Sequence, residues 1–167
     1  VTPILVFEQA LNGLQFGVML FLMAAGLTLV FGIMNLVNLA HGSLYMVGAY
    51  LAWSLAGMTG NLATAILFAI PLTVVLGMAL ERMLFRHLYQ RDHLYQVLLT
   101  YGLILVFEEL RSLIWGDDVH GVAIPPLLAG SIALSDVQQY PVYRLFISGV
   151  CLALALGMYF VFTRTRL

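Results

Sequence analysis

Five apolar runs alternate with polar interruptions along the chain, and each run predicts one helix. A bilayer core takes about 20 apolar residues of helix. The first run, Leu11 to Ile33, meets that length. Gly13 and Gly17 form a small-xxx-small pair at its start, a spacing that lets another helix approach closely. Asn12 and Gln15 share that turn, as headgroup anchors or as solute contacts. The polar stretch FGIMNLVNLAHG, residues 31 to 42, follows, and then a shorter run, Ser43 to Met58. A short or interrupted hydrophobic segment points to a discontinuous helix, and whether this one crosses or re-enters stays open. The third run, Leu62 to Leu80, carries Pro71, which removes a backbone donor and predicts a kink. Leu94 to Trp115 and Val142 to Phe162 complete the set. The expected fold is all-α: a polytopic membrane helical bundle of about five spans with a broken second helix.

The intervening segments set the orientation. ERMLFRHLYQRDH, residues 81 to 93, holds Arg82, Arg86 and Arg91 between two runs. With Arg164 and Arg166 they give five arginines on one side, against Arg111 and Arg144 on the other. Basic residues concentrate on the cytoplasmic side. The connection 116 to 141, with Asp117, Asp118, Asp136 and the pair Pro125-Pro126, is then external.

Composition narrows the class. The 167 residues are 62% hydrophobic and 9% charged, with a net charge of -1, where soluble domains carry about 25% charged residues. There is no lysine, and no basic patch that would suit nucleic acid. Cys151 stands alone, so no internal disulfide can form, and no cluster with metal-ligand spacing is present. No phosphate-binding loop or hydrolase signature occurs, so catalysis is not expected of this chain.

Candidate chemistry concentrates in the break. Asn35, Asn38 and His41 are spaced by three and would share a face if helical. If the segment is unwound, amides and freed backbone groups face a cavity, and an amide both donates and accepts without bringing charge into lipid. Gly42 permits close approach or a bend. Ser43 or His41 can cap the following helix, whose positive end favours a carboxylate. The alternative is helix–helix hydrogen bonding with no solute involved. Glu108, Glu109 and Arg111 are the charges expected to sit within a span, Arg144 falling near the end of its own. Glu108 and Arg111, three apart, can form a structural ion pair; an outer vestibule for entering solute is the other reading.

The run GLTLVFGIMNLVNLAHGSLYMVGAYLAW, residues 26 to 53, resembles the signature of branched-chain amino-acid ABC transporter permeases, the type with an Asn-x-Ala-His-Gly sequence. FRHLYQRDHLYQVLLTYGLILVFEELRSLIWG, residues 85 to 116, is similar to the middle segment of the same family. The resemblance implies a multi-pass permease of the bacterial inner membrane. It implies a second permease subunit, two cytoplasmic ATPase subunits that bind ATP and magnesium, and an external solute-binding protein. Solutes in the family are branched-chain and other neutral amino acids, or urea and short amides. Asn35, Asn38, His41, Gly42 and Ser43 are then expected along the solute path. Such permeases continue past Leu167 with a coupling segment, so residues 1–167 are expected to form one transmembrane domain, the N-terminal part of a longer permease. A passive small-amide channel and a structural membrane subunit without a path are the competing functions.

Overall fold

The computed structural model describes residues 3–133 and 139–164. Asp136, expected in the acidic connection, and Arg166, expected among the cytoplasmic arginines, lie outside them. Among the described residues five α-helices form: α1 Pro3–Met34, α2 His41–Thr59, α3 Leu62–Met83, α4 His93–Trp115 and α5 Val142–Arg164. A small antiparallel hairpin, β1 Ser131–Ala133 with β2 Gln139–Pro141, precedes α5. Among the described residues three segments are long and apolar enough to cross a membrane: Pro3–Ile33, Leu62–His87 and Val142–Arg164. Large apolar side chains such as Leu14, Phe16, Leu67 and Phe160 are each more than 60% exposed. In water such surfaces would drive association; in lipid they are the stable outer face. The chain is an all-α, multi-pass membrane protein.

The chain divides into two compact units, Leu27–Ala123 and Val1–Gly26 with Ile124–Leu167. In the first, α2 and α3 form an antiparallel hairpin. Its turn is built by residue type: Gly60 takes a left-handed φ of 68° after α2, and the Asn61 side chain accepts from the Ala63 N–H to cap α3. Small residues let the two helices meet. Ala65 and Ala69 are buried on α3, and a Cβ added at Gly48 of α2 would stand 3.4 Å from Thr73 Oγ1. α3 continues through Pro71, with the Thr73 hydroxyl bonded back to the Ala69 carbonyl at 2.8 Å.

α4 runs parallel to α2 and is tied to it near its far end, where Trp115 Nε1 donates to Ser54 Oγ at 2.7 Å. At the near end, Val37 N–H, just before α2, bonds Gln96 in the first turn of α4. The run 43–58 therefore spans nearly the same length as α4 and does not turn back.

In the second unit, Arg144 Nη1 donates to Asn12 Oδ1 at 2.6 Å, which gives Asn12 a partner inside the protein. Tyr140 of the hairpin is buried. The close approach expected at Gly13 and Gly17 is not made by any of the described residues: a Cβ at either would meet nothing within 4 Å.

The polar break and its latch

The polar break is the irregular joint of residues 35–40 between two continuous helices, α1 and α2. The interruption expected in the second span thus falls just before it. α1 ends where Asn35 turns left-handed, with φ 49°, while its N–H still reaches the Phe31 carbonyl at 2.9 Å. Asparagine tolerates that conformation better than most residues because its short polar side chain bonds locally. Alternation of exposure follows: Leu36, Asn38 and Ala40 are buried, and Asn35 and Leu39 are exposed.

Each predicted site residue has a definite place. Asn38 is 4% exposed, and its Oδ1 accepts from Ala40 N–H at 3.0 Å. Its backbone carbonyl accepts from His41 N–H at 3.4 Å. This local side-chain turn starts α2. The cap expected from Ser43 or His41 is not formed: the N-cap position is Ala40, with no side-chain cap. Asn38 bends the chain one step earlier and leaves those side chains inside the first turn. His41 is half-buried and Ser43 is buried. Gly42 is exposed, and a Cβ there would meet nothing within 4 Å, so among the described residues neither close approach nor a special φ accounts for it.

A residue that sequence reasoning passed over holds the joint. Gln96 is 1% exposed. Its Oε1 accepts from Val37 N–H at 3.0 Å and lies 3.3 Å from His93 Nδ1. Its Nε2 donates to the Leu88 carbonyl at 3.2 Å and to that of Arg91 at 3.4 Å. A primary amide offers two acceptor sites and two donors, so one side chain reaches four partners from the joint, α4 and the 84–92 loop. Thr100, one turn on and fully buried, bonds the Gln96 carbonyl at 2.8 Å. Two polar residues four apart inside an apolar run were the available signal. In the same loop Tyr89 donates to Glu81 Oε1 at 2.9 Å. Burial, and then that carboxylate, push the tyrosine pKa up to about 12.

The arginine loop and the break therefore share one end of this unit. The other end is aromatic. His120 stacks on Trp53 with ring centroids 4.1 Å apart and meets Tyr50 edge-on at 6.0 Å. Its Nε2–H donates to the Trp115 carbonyl at 2.9 Å, and Trp53 Nε1 donates to the Gly121 carbonyl at 3.2 Å. A cavity of about 200 Å³ opens beside Trp53, Gly57, Asn61 and Gly121; it includes no residue of the break. The ion pair expected between Arg111 and Glu108 is not the one found. Arg111 bonds Asp117 Oδ1 and the Gly116 carbonyl, both at 2.8 Å, because Gly116, with φ 79°, turns the chain back toward it. Glu108 and Glu109 are exposed. Among the described residues no group of three or more His, Cys, Asp or Glu could hold a metal ion.

The chain is a multi-pass helical membrane protein whose first two helices meet at a partly buried joint latched by an amide. The chain is a member of the family described as branched-chain amino acid transport system / permease component, which matches residues 9–167. It is similar to the high-affinity branched-chain amino acid transport system permease protein BraD of Pseudomonas aeruginosa. The two are 28% identical over 173 residues, covering 96% of this chain and 56% of the relative. It is also similar to the high-affinity branched-chain amino acid transport system permease protein LivH of Escherichia coli K12. That identity is 30% over 142 residues, covering 80% of this chain and 46% of the relative. The chain thus spans about half the length of the curated relatives it matches. No solved structure matches it.

Proposed function

We propose that the chain belongs to the membrane-spanning subunit of an ABC importer for branched-chain or other neutral amino acids in the bacterial plasma membrane. Separate ATPase subunits drive alternating access, ATP and magnesium bind those subunits, and an external solute-binding protein delivers the solute. A second permease subunit completes the path. Asn35, Asn38, His41, Gly42 and Ser43 belong to that path. The observation that carries the reading is the sheltered joint 35–40. Its polar groups are uncharged, buried in part, and held in a non-helical backbone, the arrangement membrane transporters use where solute passes. The printed names of BraD and LivH support branched-chain amino acids as the solute. Exposed Asn35 supplies the open side of the joint, beside exposed Gly42 in the first turn of α2, and an amide there can both donate to a carboxylate and accept from an ammonium group.

The test is uptake of labelled leucine into vesicles holding the full-length permease with its partners. Uptake is expected to require ATP and to fall when Asn38 and His41 are replaced by alanine at constant assembly. Uptake that persists without ATP would instead favour a passive small-amide channel. Loss of assembly with transport intact in the complexes that remain would favour a structural subunit.

A further inference from the structure

We propose that Gln96 is a positioning residue of the solute path, whose side-chain amide carries the state of the 84–92 loop to the broken joint. This rests on the transport reading above and adds to it the element that moves the path. Among the described residues, Gln96 is the only side chain that hydrogen-bonds the joint from another element. The same amide grips the loop through the Leu88 and Arg91 carbonyls. The joint it holds is not locked by a helical hydrogen-bond ladder. It is irregular over 35–40 and enters through a left-handed Asn35, and the half-buried N–H at Val37 must find another partner once released. The loop presents Arg86, His87 and Arg91, all exposed, to whatever lies on the arginine side. A displacement of the loop moves two carbonyls that the Nε2 group follows. The amide plane is rigid, so its Oε1 then leaves the Val37 N–H. That is a two-state element biased from one side and read on the other.

Two variants separate the arms. Gln96→Glu keeps an acceptor for Val37 N–H but loses both donors and sets a carboxylate against the loop carbonyls. Gln96→Leu removes both arms. In vesicles holding the full-length permease, its ATPases and its solute-binding protein, ATP hydrolysis and leucine uptake are measured together. Both variants are expected to hydrolyse ATP at the native rate while uptake per ATP falls by roughly ten-fold or more, within the usual range for coupling between sites. The KM for delivered solute is expected to stay within roughly two-fold, because Gln96 is not placed against solute. A second readout is labelling of Asn35→Cys on a Cys151→Ser background with a maleimide. Its rate is expected to differ between nucleotide-free and ATP-bound native complexes, and Gln96→Glu is expected to abolish that difference. Unchanged uptake per ATP in both variants, or a labelling difference that survives Gln96→Glu, would overturn the proposal. So would a loss of uptake that merely tracks loss of assembled complex. Native complexes without ATP-driven uptake would sink the transport reading itself, whereas native uptake indifferent to Gln96 sinks only the latch.

Discussion

The two ends of the 27–123 unit are fastened by different physics. At the arginine end, the joint 35–40 is tied to α4 and the loop by a single amide that satisfies three backbone groups, the Val37 N–H and the Leu88 and Arg91 carbonyls. At the other end, Tyr50, Trp53, Trp115 and His120 close α2 onto α4 and the following loop by ring stacking, with hydrogen bonds from both tryptophan N–H groups. Stacking tolerates small displacements because ring contacts are broad. A buried amide does not, since each lost partner leaves one of its own buried polar atoms unsatisfied. The aromatic end suits a fixed anchor, and the amide end suits a part that switches between discrete arrangements.

The comparison breaks hardest at Asn38. Replacing it with alanine removes the acceptor for Ala40 N–H in a buried site. The expected cost is about 1–3 kcal/mol, read as a lowered thermal midpoint of the purified permease. A change at Asn38 that left the midpoint alone would remove the claim that this end depends on satisfied hydrogen bonds.

Asn35 comes next, because its cost arises in the backbone. Asn35→Val places a β-branched residue at φ 49°, expected to lose about 1–2 kcal/mol. Asn35→Gly, free of that penalty, is expected to be near neutral. Equal midpoints for the two variants would show that the joint relaxes out of the left-handed conformation.

How much of this was written in the chain differs between the ends in the same way. The helices follow from apolar length: 62–80 and 94–115 were expected, and 62–83 and 93–115 form. The joint was visible because asparagine and histidine interrupt an apolar run. Its latch was not, because Gln96 and Thr100 mark a polar face of that helix without naming what it meets, and the partner Val37 is 59 positions from Gln96. The expected cap at Ser43 failed for a local reason, since Asn38 competes for the same backbone turn from two residues ahead of the N-cap. The aromatic end was hidden altogether: Ser54 and Trp115 stand 61 positions apart, and no period within one helix announces the pair. Arg111 was expected to pair along its helix, but Gly116 supplied a turn that brought Asp117 closer.

A milder perturbation belongs to the aromatic end. Ser54→Ala removes the acceptor of Trp115 Nε1, at an expected cost of about 1 kcal/mol. Both tryptophans of the chain lie here, so intrinsic fluorescence reports directly on it. A shifted emission maximum is expected in Ser54→Ala and no shift in Asn38→Ala, whose site is at the opposite end. Identical spectra in all three proteins would mean that Trp115 does not hold its ring in place through Ser54.

The smallest effect is expected at the Arg111–Asp117 pair, just beyond the aromatic cluster. The Asp117 side chain is 77% exposed, and exposed pairs contribute little because water and salt screen them. The hydrogen bond from Arg111, and after it one involving Ser112, hold the Asp117 carboxyl below the usual carboxylate range. A depressed pKa contributes stability above the unfolded carboxylate value, about 4, and that stability is lost as pH falls through the folded value. The native permease is therefore expected to lose slightly more stability than Asp117→Asn on acidification from pH 6 to about 3, with the gap closing in high salt. Equal pH slopes at low salt would show that the Gly116 turn alone holds this loop. The fixed character of the aromatic end would then come wholly from its rings and their hydrogen bonds.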